Sequence, residues 1–238
     1  GDVVKGYYVI KAQHEEGRTR AFMTLLIDRF VGLFGLIVMA FFALIFNLEL
    51  ILSQDRLHSL AWIIVALFVG TVLFYAIVLF PFKEGRDPFI RLFQRLPAKK
   101  FSLKVYSAFK SYQHQKRTLA LTLLLSIGIH TLVALLFFQV TLLMGIKEME
   151  LATQFFLMPI GLITVAIPLA PGGIGIGHAA FESLYQLAGF SGGADIFNLF
   201  IIVQLGVYLL GGIPYFLYSS EYKIPKHPEE MLEEKVEN

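Results

Sequence analysis

The sequence predicts an all-α, polytopic membrane helix bundle with a re-entrant broken helix, and three observations carry that prediction. The chain of 238 residues is 56% hydrophobic and only 16% charged, with a mean hydropathy of +0.68. A soluble domain must wet its exterior and cannot hide so much apolar surface. Four uncharged stretches are long enough to cross a bilayer, and a fifth apolar region is broken by proline and glycine. The formal net charge of +2 gives a nucleic-acid partner no support. Cysteine is absent, which excludes disulfides, thiolate metal sites and cysteine nucleophiles.

A helix needs about 20 mainly apolar residues to cross the hydrocarbon. Residues 30–48 meet that length between Asp28-Arg29 and Glu49. Residues 62–80 follow, with Trp62 at one end and Tyr75 and Pro81-Phe82 toward the other. Residues 118–146 exceed the need and can tilt. The last span, 196–220, is interrupted by Gly211-Gly212 and Pro214. Region 151–189 contains Pro159, Pro168, Pro171 and five glycines between Gly172 and Gly189. Its halves, about 152–167 and 176–187, are each short for a crossing. Non-helical backbone at membrane depth survives only where protein or a water-filled cavity satisfies it. A re-entrant helix–loop–helix is the economical reading and two short full spans the alternative; both return the chain to the side it left. Residues 170–178 are expected to form a non-helical turn inside the bundle.

Lysine and arginine orient the spans. Residues 1–29, 83–117 and 221–238 hold 18 of the 20 basic residues, leaving Arg56 and Lys147 for the other side. The positive-inside rule makes the first group cytoplasmic. Within 83–117, Phe89, Leu92, Phe93 and Leu96 repeat at helical spacing until Pro97. A second stripe follows at Phe101, Val105, Phe109 and Tyr112, among Lys99, Lys100, Lys104 and Lys110. These helices read either as connectors packed on the bundle or as headgroup-plane helices that gather anionic lipid. The acidic tail 221–238 reads as a solvated end, separate from the transmembrane domain at 1–220.

The run from Pro168 to His178 is the most unusual segment. It leads into a helix near Ile176, whose N-terminus in a low-dielectric setting suits an anion such as phosphate. Broken helices of transporters use this device near the midplane. A tight-packing glycine hinge without ligand is the rival reading. The run lacks a Gly-Lys-Ser/Thr ending and follows no strand, so it is no nucleotide loop. Asp28-Arg29 reads as a snorkelling border or as a headgroup pair. His130, in mid-span, reads as a hydrogen-bonded packing residue. Asn47 and Glu49 are expected to be solvated at the outer interface. His130 and His178 have no carboxylates at ligand spacing, so neither a metal nor another cofactor is expected. No nucleophile–base order or catalytic carboxylate pair is visible, so no enzyme activity is expected.

Pro-Gly-Gly-Ile-Gly at 171–175, with a polar residue three positions later, then a helix, a glycine and a further span, resembles a known signature. So does the block of Gly1-Asp2, Lys5 and Asp28-Arg29. Together they resemble the membrane domain of the lysylphosphatidylglycerol synthase/flippase family, also called the flippase-like or uncharacterised membrane protein 0104 family, over essentially the whole chain. In that family further spans precede the first block, so the resemblance implies an N-terminally truncated chain. It also implies a multi-pass protein of the bacterial or archaeal inner membrane. Its implied role is to translocate or bind a phosphate-bearing lipid of the aminoacyl-phospholipid or polyprenyl-linked glycan type. Implied partners are anionic membrane lipids and a lipid-modifying enzyme or glycosyltransferase; aminoacyl transfer belongs to a separate soluble domain. A non-transporting scaffold is the alternative.

The headgroup-binding set implied by the resemblance is Asp2, Lys5, Asp28, Arg29, Pro171, Gly172, Gly173, Gly175, His178 and Glu182. Lys5 replaces the family's usual Arg, which loses the bidentate fork. His178 replaces its usual Glu, with Glu182 one turn on as a substitute carboxylate, and Gln204 falls near a usual Arg. The two blocks also resemble each other, so both are expected to approach one cavity.

Overall fold

The computed structural model describes residues 17–82, 87–94, 99–110, 113, 115–166 and 173–217. Among these residues there are helices and no strands. The helices are α1 (Gly17–Phe46), α2 (Leu48–Leu52), α3 (Asp55–Leu79), α4 (Pro88–Gln94), α5 (Lys99–Lys110), α6 (Lys116–Leu143), α7 (Leu151–Ala166), α8 (Ile176–Leu187) and α9 (Gly193–Leu217). Contacts divide the chain into two compact units, Gly1–Phe197 and Asn198–Asn238. Four helical segments are long and apolar enough to cross a membrane: Ile27–Phe46, Leu57–Leu79, Lys116–Leu143 and Gly193–Ile213. This is the all-α, polytopic bundle that hydropathy predicts. The helices themselves run beyond the apolar windows, because polar first turns such as 55–58 extend a helix without belonging in hydrocarbon. Within the second unit α9 stays helical through Gly211-Gly212 to Leu217, where the sequence reading had an interruption. The acidic tail at 221–238 lies outside the described residues.

In the first unit α1 is the central helix, packed on α3, α5, α6 and α7. Small residues let α6 approach it: a Cβ on Gly35 would stand 2.5 Å from Ser126 Oγ and 3.3 Å from His130 Cδ2. Close approach of this kind replaces the hydrophobic driving force that lipid cannot supply. Polar side chains of α6 then reach the α1 backbone. Ser126 Oγ donates to the Val31 carbonyl at 3.4 Å, and His130 Nε2 donates to the Gly32 carbonyl at 3.1 Å. At the far end of α1, Asn47 is buried rather than solvated as expected. Its amide donates to the carbonyls of Ala43 (2.8 Å) and Ala152 (2.9 Å) and accepts from Thr153 Oγ1 (3.1 Å). The chain bends at Asn47, and its side chain both satisfies a last-turn carbonyl of α1 and fastens α7 beside it. Glu49 is exposed.

Helices α7 and α8 form an antiparallel hairpin. Gln154 near the start of α7 bonds Tyr185 near the end of α8. Midway, the Phe181 ring fills the space where a side chain on Gly161 would stand. Val165 closes against Gly173 and Gly177 at the tip. Pro159 sits inside α7 without ending it, as prolines do where packed neighbours surround a membrane-type helix. Two aromatic side chains of α8 meet α6. Phe137 stacks on Phe181 with ring centroids 4.9 Å apart, and Thr141 lies 2.9 Å from the Tyr185 hydroxyl.

Of the two readings of the basic connector, packing on the bundle is what the structure contains for α5. Val105, Tyr106 and Phe109 are buried in one cluster with Phe34, Ile37 and Val78, and Phe89 and Phe93 of α4 pack against it. Leu92, expected on the same stripe, is exposed. Asp87 caps α4 by accepting from the Phe89 N–H at 3.0 Å and accepts from Tyr106 Oη at 2.7 Å. Lys110 Nζ donates to the Phe80 carbonyl at 2.6 Å, lies 3.7 Å from Asp87 Oδ2 and stands over the Phe82 ring. Burial, the bond to Asp87 and its negative charge all push the Tyr106 phenol above its ordinary range.

Candidate functional site

The hairpin tip is built by glycine conformation. Gly173 and Gly175 have φ of +70° and +88°, the left-handed region that a side chain disfavours. Gly175 has open space where a Cβ would stand, so conformation alone requires glycine there. Gly173 is buried, and a side chain on it would also meet Val165. Ile174 and Gly175 are exposed.

Helix α8 begins at Ile176, so His178, expected in the non-helical turn, belongs to the first helical turn. The reason is a cap. The Gly175 N–H donates to His178 Nδ1 at 3.2 Å, so imidazole does what Glu or Gln does in a capping box. Nδ1 is therefore the acceptor and Nε2 carries the proton of the neutral ring. The same ring meets Phe197 edge-on at 5.1 Å. The first N–H groups of α8 have no partner within their own helix and point away from its length, past the tip. Such an end is suited to an anion.

Glu182 is committed elsewhere. Its Oε1 accepts from Gln186 Nε2 at 2.7 Å and its Oε2 from the Ala194 N–H at 3.0 Å. The carboxylate thus closes the first turn of α9, a favourable place for negative charge. Gly193 makes that approach possible, since a Cβ there would overlap the Phe181 carbonyl. Asp28 and Arg29 are exposed on α1, about one turn from Gly32. Asp2, Lys5, Pro171 and Gly172 lie outside the described residues, and with them the first half of the expected joint cavity.

Sequence reasoning missed a buried network behind the tip. Thr141, Gln154 and Tyr185 are each fully inaccessible. Tyr185 Oη donates to Gln154 Oε1 at 2.7 Å, and Thr141 Oγ1 donates to the Phe137 carbonyl at 2.9 Å. Three helices are thereby joined without a charge. The sequence carries one signal, polar residues inside apolar stretches, but nothing that pairs them across 31 and 44 positions. At the same end, Asn47, Glu49, Glu148, Glu150, Thr153 and Phe190 contribute to the lining of an open cleft of about 510 Å³.

Four long apolar helices, with a hairpin of two shorter ones beside them, define a multi-pass membrane protein. The chain belongs to the family described as the lysylphosphatidylglycerol synthase TM region, which matches residues 1–211. No curated protein and no solved structure gives a match.

Proposed function

We propose that this chain receives the phosphate of a lipid headgroup at the tip of the α7–α8 hairpin and carries the lipid across the membrane, with no bond made or broken. One observation carries the reading: the register of α8 on α6. Phe181 lies against Phe137 and Tyr185 against Thr141; continued at the same spacing, that pairing sets the start of α8 level with residue 132. At 1.5 Å per residue that is roughly 24 Å from the first residue of α6 and roughly 16 Å from its last. In this reading the α8 N-terminus stands near the middle of a span, where an anion needs fixed donors in place of water. Family membership agrees with a lipid ligand; aminoacyl-phospholipids and polyprenyl-linked glycans are the candidate classes.

In this reading the hairpin is re-entrant, residues 83–117 and 221–238 are cytoplasmic, and the membrane is a bacterial or archaeal inner membrane. Anionic lipids are the direct partners, and a lipid-modifying enzyme or glycosyltransferase supplies or consumes the cargo. The orientation is tested with single cysteines at Lys100 and Lys147, since the chain has none of its own. An impermeant thiol reagent on whole cells should label position 147 and spare position 100. Transport is tested in proteoliposomes with headgroup-labelled phosphatidylglycerol. Gly175→Val should abolish translocation, because φ excludes a β-branched side chain there although the space is open. Lipid binding without translocation in the unmutated protein would identify a scaffold instead.

A further inference from the structure

The basic connector packs against the sides of the spans and not beyond their ends. Val105, Tyr106 and Phe109 of α5 are clustered with Phe34 and Val78, and Leu123 of α6 packs against them. Phe34 stands seven residues inside the apolar segment that begins at Ile27, and Leu123 seven inside the one that begins at Lys116. At 1.5 Å per residue each is roughly 10 Å within its span. Val78 belongs to the last turn of α3. Interfacial helices lie at such a depth, about 5–10 Å into the boundary between headgroups and acyl chains.

The other side of the connector is uncovered, and it presents two kinds of side chain. Ile90 and Leu92 of α4 are 40% and 52% exposed, although Phe89 and Phe93 beside them pack on the cluster. Lys99 and Lys104 of α5 are exposed, and among the described residues neither has a hydrogen bond or an ion pair. Lys110, by contrast, is tied to the Phe80 carbonyl and to Asp87. Asp87, the described carboxylate of the connector, is buried and accepts from Tyr106 and the Phe89 N–H. It therefore leaves the charge of Lys99 and Lys104 uncompensated. Apolar side chains beside uncompensated lysines, at interfacial depth, match a surface that is oily within and negative at its rim.

We propose that this outward face is a docking surface for anionic phospholipid, with Ile90 and Leu92 among the acyl chains and Lys99 and Lys104 at the phosphates. It is separate from the hairpin tip and does not depend on lipid passing there. Packing and lipid docking are then two faces of one element: the inner face holds α1 and α3, and the outer face gathers lipid beside them. The surface selects negative charge and not headgroup shape, because an ammonium on a flexible stem meets a phosphate as a point charge.

The test places a tryptophan on that face. Trp62 is the one tryptophan of the chain; it is 74% exposed and lies toward the other end of α3 from the connector. The full chain carrying Leu92→Trp with Trp62→Phe is reconstituted in phosphatidylcholine vesicles. Equal fractions of brominated phosphatidylglycerol or brominated phosphatidylcholine are then included, and quenching is compared. Quenching should favour the phosphatidylglycerol, by up to about fivefold for each lysine, and the preference should shrink as salt is raised. Replacing both lysines, Lys99→Gln with Lys104→Gln, should remove it. The unmutated protein, with Trp62 as the reporter, should show no such preference. Ile90→Trp takes the place of Leu92→Trp if that variant folds poorly. Equal quenching by the two lipids overturns the proposal, as does a preference that survives the lysine replacements or that Trp62 shares. Quenching by neither lipid also overturns it, and means that protein, a second copy or another chain, covers the face. None of these outcomes bears on transport at the hairpin, which the proteoliposome assay reads.

Discussion

The basic connector and the glycine hairpin are both pairs of short helices, and they solve the same problem in opposite ways. Each must terminate helices beside the bundle without leaving backbone groups unsatisfied. The connector does it with charge. Asp87 caps α4 and holds Tyr106, and Lys110 covers the Phe80 carbonyl. The hairpin does it with neutral groups: Asn47 with Thr153, Thr141 with Gln154 and Tyr185, and the His178 ring on the Gly175 N–H. In the connector the buried Asp87 carboxylate is held by Tyr106, the Phe89 N–H and Lys110, as a buried charge must be, whereas neutral bonds hold these parts of the hairpin. The connector is therefore tied by charged side chains, while the start of α8 at the hairpin tip is tied by the imidazole of His178.

The sharpest way to break the comparison is to overfill the hairpin. Gly161→Leu drives a side chain into the Phe181 ring, which is stacked between Phe137 and Phe197. It should cost about 3 kcal/mol or more and lower the melting temperature in detergent beyond any other change considered. Next comes the neutral network. Gln154→Ala removes the acceptor of Tyr185 in a fully buried place and should cost about 1–3 kcal/mol by denaturant titration. The connector should respond less. Tyr106→Phe removes one bond to Asp87, at about 1 kcal/mol. It should also change the alkaline limb. The folded protein holds the Tyr106 proton more tightly than the unfolded chain, whose phenol titrates near 10. Unmutated protein should then lose stability as pH rises past that value, and Tyr106→Phe should lose less. Smallest is Glu49→Gln, an exposed site, expected within about 0.5 kcal/mol.

Much of this fold was legible because membrane crossing and helix breaking leave compositional marks. Apolar length revealed the spans, and glycine with proline located the break that starts α8 at Ile176. Helix ends were read less well: α3 starts at Asp55 rather than near Trp62, because hydropathy reports the bilayer and not the helix. Pairings were not legible at all. Asn47 looked solvated because its partners Ala152 and Thr153 are over a hundred positions away. Glu182 looked like a ligand for the same reason, its bond to Ala194 depending on how α8 and α9 pack. At the site, the glycines and the helix start were visible in sequence. The capping role of His178 and the bond from His130 to the Gly32 carbonyl needed coordinates, because each depends on which backbone atom stands opposite.

The central claim is that the hairpin tip lies deep in the membrane, and its depth can be measured. Ile174 is 63% exposed at the tip, and a single cysteine introduced there in this cysteine-free chain accepts a spin label. Relative collision rates with oxygen and a water-soluble nickel complex then report depth in a reconstituted bilayer. A position about 15 Å from either headgroup layer, half the hydrocarbon thickness of about 30 Å, is the expected result. A label at the depth of the headgroups would contradict the re-entrant hairpin and the transport reading built on it.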